Sequence, residues 1–232
     1  MLIKGVQGTT LVDFPGNVAS IFFLANCNFR CPFCYNKDLV LNPEKLATVP
    51  EEEALEFLEK RKGLIDGVVI TGGEPTLHPD LPEFLLKIKK MGLKVKLDTN
   101  GTNLEMLKRI IDEKLADYFA MDIKTSPEKY GIATGTKPDL EAIGKSARMI
   151  MESGIDYEFR TTVVPKLVEL EDIEKIGKWL DGTEKYFLQQ FKPMQTTIDP
   201  AYSKTEPYSK ETLLLFKKTA EKYFKKCEIR NT

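Results

Sequence analysis

The chain has 232 residues, with 34 Lys and Arg against 35 Asp and Glu and a formal net charge of −1. This length suits one large α/β domain, and the balanced charge predicts neither a nucleic-acid nor an anionic-membrane partner. Because the apolar runs are too short to span a bilayer and no signal peptide is recognisable, we expect a cytoplasmic protein whose 4 cysteines stay reduced.

Residues 1–17 form an N-terminal lead-in that ends in TTLVDFPG, and residues 18–191 alternate short apolar segments with segments of helical period. This alternation predicts an α/β fold with parallel strands joined by helical crossovers. Residues 192–232 predict a C-terminal helix and a short strand, and we expect one domain over 1–232. The pattern alone leaves open a partial barrel and a doubly wound sheet. The predicted strands are 18–24, 67–71, 93–98, 117–122, 157–163 and 186–191.

Start and stop signals delimit the predicted helices. Thr48 with Glu51, and Asp80 with Glu83, have the spacing of capping boxes, in which side chains satisfy free backbone N–H groups. Further N-caps are expected at Asn103, Asp139 and Ser209, and glycine stops at Gly92, Gly154 and Gly182.

Polar or glycine-rich motifs lie at the carboxyl ends of all six predicted strands, where parallel α/β folds carry their functional residues. The connections from helix to strand carry no comparable motifs. This asymmetry indicates an enzyme. In chain order the motifs are the cysteine loop CNFRCPFC (27–34), GGEP (72–75), DTNG (98–101), DIK (122–124), Arg160 and QQF (189–191).

The cysteine loop holds Cys27, Cys31 and Cys34 in the spacing C-x3-C-x2-C, far from the remaining cysteine, Cys227. Three thiolates can bind a metal or cluster and leave one coordination position open. A structural zinc site needs a fourth ligand. Neither Cys227, expected to be a buried small apolar residue, nor His78, expected in a loop or cap, completes such a site convincingly. The loop therefore favours an iron–sulfur cluster.

Two of the other motifs also have a plain structural interpretation. Gly72 and Gly73 suit a strand-to-helix turn, although glycine also permits close backbone approach to a ligand. The segment 98–101 ends in Asn-Gly, which is strong turn chemistry.

Three charged residues lie in or just after the predicted strands, and Arg160 is the hardest of them to explain structurally. Asp122 and Lys124 share one face, so they form either an exposed ion pair of little value or part of a pocket lining. Arg160 lies inside an apolar strand, where an unpaired charge is prohibitive, and it therefore needs an anionic partner.

The motifs together resemble the radical S-adenosylmethionine (SAM) superfamily: C-x3-C-x2-C with Phe33 before the last cysteine, then GGEP after the next strand. TTLVDFPG, CNFRCPFCYN, DTNG and DIK are similar to the activating enzymes of glycyl-radical proteins. Among these, the chain most resembles the activating proteins of anaerobic ribonucleoside-triphosphate reductases. The resemblance implies a partial (β/α)6 barrel.

The resemblance also implies the chemistry. Cys27, Cys31 and Cys34 would ligate a [4Fe–4S] cluster whose fourth iron accepts the amino and carboxylate groups of SAM. One electron from the reduced cluster then cleaves a sulfonium C–S bond, and the 5′-deoxyadenosyl radical abstracts a hydrogen atom from a glycine Cα of the partner protein. No general base is required.

Further roles carry over by resemblance. The backbone around Phe33 and Tyr35 would hold the adenine and position SAM, and Gln190 lies where relatives have a histidine that contacts SAM, so that contact is replaced or absent. Asp13 would face the substrate peptide. The turn at Gly72, Gly73 and Glu74 would bind the amino group of SAM, and Lys124 and Arg160 would bind its carboxylate. A monovalent cation near the cofactor would be bound by Asp98, Thr99 and Asp122. Asp98 is also expected to be a cofactor-binding residue.

The implied partners are a glycyl-radical enzyme, here an anaerobic ribonucleoside-triphosphate reductase, and a flavodoxin- or ferredoxin-type electron donor. Two alternatives remain open at this stage. One is a radical SAM enzyme that acts on a small molecule, similar to a carboxy-deazaguanine synthase. The other is an iron–sulfur or zinc module without enzymatic activity.

Overall fold

The structure is a computed structural model that describes residues 1–194 and 196–231. Its strands form one eight-stranded sheet in which spatial order equals chain order. This order is the one that a partial (β/α)6 barrel requires, and the predicted α/β fold is confirmed. The strands are β1 (Ile3–Thr10), β2 (Ala19–Leu24), β3 (Gly67–Gly72), β4 (Lys94–Thr99), β5 (Tyr118–Asp122), β6 (Asp156–Val163), β7 (Lys185–Gln190) and β8 (Lys226–Arg230).

The first strand was not predicted, because residues 1–17 read as a lead-in without a strand pattern. β1 pairs with β2 in antiparallel fashion, from Ile3 opposite Leu24 to Thr10 opposite Ala19, with two irregularities in register. Only the first and last residues of β1 are buried. Its polar and glycine-rich sequence therefore lacks the alternation that identifies a half-buried strand.

The helices begin and end largely at the expected signals. Asn103, Asp139 and Ser209 each accept a hydrogen bond from a first-turn N–H, which confirms them as N-caps. The helices in the described residues are α1 (Lys37–Leu41), α2 (Glu51–Lys60), α3 (Leu81–Lys90), α4 (Leu104–Asp112), α5 (Tyr130–Thr134), α6 (Leu140–Glu152), α7 (Leu170–Trp179) and α8 (Lys210–Ala220). None of them is long and apolar enough to cross a membrane.

Both predicted capping boxes are wrong, because tertiary partners take the side chains that would have capped. The Thr48 hydroxyl accepts a hydrogen bond from Lys4 Nζ at 2.7 Å, and α2 begins without a side-chain cap. Asp80 is the N-cap residue of α3, but it makes no capping bond there. Its carboxylate contacts the Met1 amino group instead.

The chain divides into two compact units. The first comprises Met1–Asn28, Asp38–Thr99 and Asn103–Ala120, and the second comprises Phe29–Lys37, Asn100–Thr102 and Met121–Thr232. A single domain over 1–232 stays a prediction, and residues 195 and 232 of its last segment lie outside the described residues.

Each unit has its own buried core. In the first unit, Phe22 on β2 packs against Phe57 and Phe84 of α2 and α3, with ring centroids 6.3 and 6.0 Å away. In the second unit, Tyr130 is fully buried and meets Trp179 edge-on at 5.9 Å. Aromatic packing of this kind holds α2 and α3 on β2 in the first unit and α5 against α7 in the second.

Candidate functional site

In the first unit, hydrogen bonds to neighbouring segments fix the approach to Cys27. Asn26 adopts a left-handed backbone conformation with φ 66°, and its N–H donates to Leu39 O at 2.9 Å. The buried His78 places Nε2 2.9 Å from Ala25 O. The only histidine of the chain therefore anchors the backbone next to the cysteine loop, as a loop residue.

The paired glycines lie against the same stretch of backbone. Gly72 has φ +118°, and a Cβ there would lie 2.5 Å from Leu24 N and O. A Cβ on Gly73 would lie 1.8 Å from Asn26 O, and Glu74 N donates to that oxygen at 2.7 Å. Glycine is therefore needed here because the turn packs closely against the backbone of Leu24 and Asn26, just before the cysteine loop.

Glu74 has a buried carboxylate within the first unit. It accepts hydrogen bonds from Thr99 Oγ1 at 2.8 Å, from Thr76 Oγ1 at 2.5 Å and from Thr76 N at 3.2 Å. A buried carboxylate needs several donors to offset lost hydration. The arrangement ties the end of β4 to the GGEP turn, so the structure brings Glu74 and Thr99 together.

Asp98 lies one residue before Thr99 but contacts different groups. Its Oδ2 accepts from Thr71 Oγ1 at 3.2 Å, and its Oδ1 contacts Lys96 Nζ. Lys96 is only 1% exposed. The structure therefore pairs this predicted cofactor residue with a buried ammonium group that the sequence analysis missed.

Asp13 lies away from these residues. It follows the end of β1, where Thr10 pairs with Ala19 at the amino end of β2, whereas Cys27 follows the carboxyl end of β2. Its carboxylate accepts a hydrogen bond from Thr10 Oγ1. The structure does not bring Asp13 to the cysteine loop, and its role toward a substrate stays a prediction.

In the second unit, the rest of the cysteine loop is anchored by main-chain bonds. Cys34 N donates to Cys31 O at 3.0 Å, and Arg30 N donates to Thr134 O at 2.7 Å at the end of α5. Gly135 follows in a left-handed conformation, φ +63°, and a Cβ there would lie 2.7 Å from Arg30 O. Glycine is needed at this position for both reasons.

Three charged side chains near this loop form one cluster. Asp122 Oδ1 accepts from Arg160 Nε at 2.9 Å, and Asp122 Oδ2 accepts from Lys124 Nζ at 2.9 Å. Burial opposes ionisation of Asp122, but the two cations outweigh it and hold its pKa well below its usual range. We call Asp122, Lys124 and Arg160 the charged cluster. The sequence prediction that Arg160 has an anionic partner is confirmed.

The charged cluster and the thiols of the cysteine loop influence each other's pKa values. Burial opposes the charged form of Lys124, yet the Asp122 carboxylate and the charge of Cys31 outweigh it and raise the Lys124 pKa. Burial raises the pKa of the Cys34 thiol, while the Asn36 N–H and the Lys124 ammonium act in the opposite direction. A cation at this position favours thiolates and therefore favours their binding to iron.

Aromatic side chains connect the loop to the segment that follows β7. The Tyr35 ring stacks on Phe191 at 6.0 Å with 15° between the planes, and its hydroxyl accepts from Lys192 N at 3.0 Å. Phe33 packs against Tyr202 at 6.4 Å. The segment after β7 thus covers part of the cysteine loop, although Tyr35 stays 36% exposed.

Gln190 occupies the other face of β7 from the charged cluster. Arg160 pairs with Phe187 and Thr162 with Gln189, so Gln189 shares the face of Arg160 because residues two apart in a strand do. Gln190 Nε2 donates to Tyr208 O at 2.6 Å. Its buried Oε1 has no hydrogen-bond partner within the part of the chain that the structure describes.

A second buried charged pair, Glu158 with Arg230, was not predicted from the sequence. Glu158 in β6 is 1% exposed and accepts two bonds from Arg230 in β8, at 2.7 and 2.8 Å. The guanidinium lies 3.3 Å from the centre of the Phe187 ring. Glu158 and Lys96 carry the same sequence signal as Arg160, a charge inside an apolar strand.

The thiols suit an iron–sulfur cluster. All four cysteines lie within the described residues, and none of them forms a disulfide bond. Burial raises the pKa of Cys227 to about 12, which fits the prediction of a buried apolar residue. Among the described residues, no three His, Cys, Asp or Glu side chains converge on a point that could hold a single metal ion. A four-iron cluster needs less convergence because each thiolate binds its own iron, and thiolates are its usual ligands.

Known proteins resemble the chain over most of its length. The family model of the radical SAM superfamily matches residues 21–180. A Methanocaldococcus jannaschii protein named "Putative glycyl-radical enzyme activating enzyme" is 34% identical over 99% of this chain and 95% of its own length. The pyruvate formate-lyase-activating enzyme of Streptococcus mutans is 29% identical over 77% of this chain and 72% of its own length.

The fold is also found in solved structures. SuiB of Streptococcus suis, in a crystal structure with S-adenosylmethionine bound, matches with a TM-score of 0.64 and 17% identity. The match covers 90% of this chain and 51% of SuiB. Fold, cysteine spacing and sequence similarity agree. The chain is an enzyme of the radical SAM superfamily, whose cofactors are a [4Fe–4S] cluster and S-adenosylmethionine, and within it belongs to the family of glycyl-radical enzyme activating enzymes.

Proposed function

We propose that this enzyme generates the glycyl radical of an anaerobic ribonucleoside-triphosphate reductase. The observation that carries the cofactor chemistry of the proposal is the charged cluster, in which Asp122 holds Lys124 and Arg160 by hydrogen bonds of 2.9 Å each and the Lys124 charge favours the thiolate form of Cys34. The choice of partner is supported by the lead-in TTLVDFPG and by a chain with no cysteines besides Cys227 outside the cysteine loop.

The proposed cluster ligands are Cys27, Cys31 and Cys34. When bound, the reduced cluster and SAM supply one-electron cleavage of a C–S bond and a 5′-deoxyadenosyl radical, which takes a hydrogen atom from a glycine Cα. The protein holds and orients these groups and excludes side reactions. A flavodoxin- or ferredoxin-type protein is the proposed electron donor, and the need for reduction is the reason to propose a cytoplasmic reaction.

The charged cluster is the proposed site for the carboxylate of SAM. Two cations and one carboxylate leave it with one net positive charge, which matches a single anionic group. Lysine has three donors and arginine five, so Lys124 and Arg160 can bind a second acceptor while they stay paired to Asp122. Such charge-assisted hydrogen bonds are among the stronger ones.

The turn at Gly72 and Gly73 is the proposed site for the amino group of SAM. Gly73 N already donates to Leu24 O at 2.8 Å, and Glu74 N donates to Asn26 O. An amino group that binds iron through its lone pair keeps two N–H donors, so the carbonyl oxygens of the turn would accept from it. Glu74 would then support the turn rather than touch the cofactor.

The remaining roles concern the adenine and the sixth-strand contact. The backbone at Phe33 and Tyr35 is the proposed adenine site, since these rings fix the loop against Tyr202 and Phe191. Gln190 is held at Tyr208, so a contact from Gln190 to the cofactor would require that bond to break.

Electron paramagnetic resonance tests the proposed function. Anaerobically reconstituted enzyme, a chemical reductant, SAM and the reductase should give a glycyl doublet on the reductase. The doublet should vanish when the target glycine is replaced by alanine, or when Cys27→Ala, Cys31→Ala or Cys34→Ala removes a proposed ligand. Cys227→Ala is the matched control and should leave the doublet unchanged.

Two results would contradict the proposed function. If SAM is cleaved but no doublet forms on the reductase, while turnover of a small nucleobase precursor is efficient, the partner assignment is wrong. A requirement for Cys227 equal to that for the other three cysteines would contradict the proposed ligand set.

A further inference from the structure

The residues expected to bind a monovalent cation already have partners within the chain. In the first unit, Thr99 Oγ1 donates to Glu74 and Asp98 contacts the Lys96 ammonium. In the second unit, the Asp122 carboxylate forms salt bridges with both Lys124 and Arg160. The donor set therefore does not fit an added metal cation.

Lys96 is unusual among the lysines of this chain. Its neighbour Lys94, at the start of the same strand, is exposed and donates to Asn17 Oδ1 at 2.9 Å. Lys96 is 1% exposed, touches Asp98 two residues further on, and lies 6.0 Å from the centre of the Tyr118 ring. A lysine is almost never buried to this degree unless it is paired.

We propose that the Lys96 ammonium takes the place of the monovalent cation beside Asp98, so that this enzyme binds its cofactor without added K⁺ or Na⁺. An ammonium group is a compact point charge, and the Asp98 carboxylate and the Tyr118 ring face supply the attraction that an ion would otherwise need. A second cation beside Asp98 would be repelled by Lys96 at short range.

Cation replacement tests the proposal on the reconstituted enzyme without any partner protein. SAM affinity is measured by calorimetry, and 5′-deoxyadenosine formation is followed, in buffers whose only monovalent cation is K⁺, Na⁺ or choline. The wild-type enzyme should give the same affinity within about twofold in all three. Lys96→Met should bind SAM at least tenfold more weakly in choline and should regain affinity in K⁺ or Na⁺ with saturation.

Two controls separate an ion site from a structural defect. Lys94→Met alters an exposed lysine of the same strand and should show no cation dependence. The double variant Lys96→Met with Asp98→Asn removes both charges, so it should no longer respond to K⁺. The melting temperature of each variant without SAM provides a second readout, and K⁺ should raise it only for Lys96→Met.

Either of two results would overturn the proposal. One is a wild-type enzyme whose SAM affinity rises tenfold or more with K⁺ or Na⁺. The other is a Lys96→Met variant whose affinity and melting temperature ignore both ions. The binding readout rests on the proposed cofactor site, but the melting readout does not, and neither involves the reductase, so a wrong partner assignment would leave this result intact.

Discussion

One carboxylate, that of Asp122, holds two cationic side chains in place. Asp122→Asn would leave Lys124 and Arg160 close together without a compensating charge. At pH 7 we expect the free energy of unfolding to fall by about 1–3 kcal/mol, the typical cost of breaking a charged hydrogen-bonded pair. Chemical denaturation measures the difference, and Asp112→Asn, in an exposed pair with Lys108, should cost less than about 0.5 kcal/mol.

The pH dependence of this difference has a definite sign. The native pKa of Asp122 lies below its ordinary value, so the ionised carboxylate stabilises the fold above the ordinary carboxyl pKa of about 4. Its contribution is lost as the pH falls from about 4 toward the lowered native value. The gap between wild type and Asp122→Asn should therefore narrow in acid. A gap that is constant from pH 7 to pH 3 would contradict the pairing.

Cys227 should be chemically silent in the folded protein. Burial raises its pKa to about 12, so very little of the thiol is ionised near neutral pH, and the thiolate is the reactive form. In apo protein treated with iodoacetamide at pH 8, peptide mapping should find Cys227 unmodified until denaturant is added. Modification of Cys227 at the rate of an exposed thiol would show that it is accessible.

The turn after β3 and the end of β2 fit together only because Gly72 and Gly73 have no side chains. Gly73→Ala places a Cβ 1.8 Å from Asn26 O, so the backbone before Cys27 must move. Overpacking of this kind typically costs about 1–3 kcal/mol. We expect this loss in unfolding free energy and a lower iron content after reconstitution, since Cys27 follows directly.

Gly92→Ala provides the matched control for that experiment. Gly92 follows α3 with φ +81° and has nothing within 4 Å of a built Cβ. The variant should lose about 1–2 kcal/mol from left-handed backbone strain alone and bind iron normally. Equal iron contents in both variants would show that the contact at Asn26 does not position the loop.

The Glu158–Arg230 pair connects β6 to β8 across the intervening strand. Arg230→Ala leaves a buried carboxylate without its guanidinium, and the free energy of unfolding should fall by about 3–5 kcal/mol. A double-mutant cycle with Glu158→Gln should give a coupling energy of about 0.5–3 kcal/mol. The exposed pair Lys185–Asp156, which joins β6 to β7 at 3.1 Å, is the control and should couple by less than about 1 kcal/mol. Equal coupling in the two pairs would contradict the importance of burial.

Elements with a strong local pattern could be predicted from the sequence, and the others could not. The apolar runs in β2 to β7 were located because a buried parallel strand is apolar along its length. β1 was not predicted because its pairing with β2, rather than the pattern of its own side chains, makes it a strand. The false capping box at Thr48 has the same origin, since Lys4 on β1 takes the hydroxyl.

The expectation that functional residues lie at the carboxyl ends of parallel strands located the motifs but did not predict their contacts. Sequence position alone predicted that Arg160 would have a partner, and the partner is Asp122. It could not show that Gly73 meets Asn26 or that His78 holds Ala25, because these contacts join segments far apart in the chain. The register between β6 and β7 could not be predicted from the sequence either, and it places Gln189, and not Gln190, on the face of Arg160.

The main-chain anchors on either side of the cysteine loop affect how the enzyme acquires and loses its iron. Asn26 is tied to Leu39, and Arg30 is tied to Thr134, by bonds that involve no thiol. The loop therefore loses its conformational entropy when the protein folds and not when iron binds. In this it differs from small metal-dependent domains, which fold only when the metal binds. We expect an enzyme stripped of iron by oxygen to keep its fold and to be repairable by transfer of a new cluster from a scaffold protein.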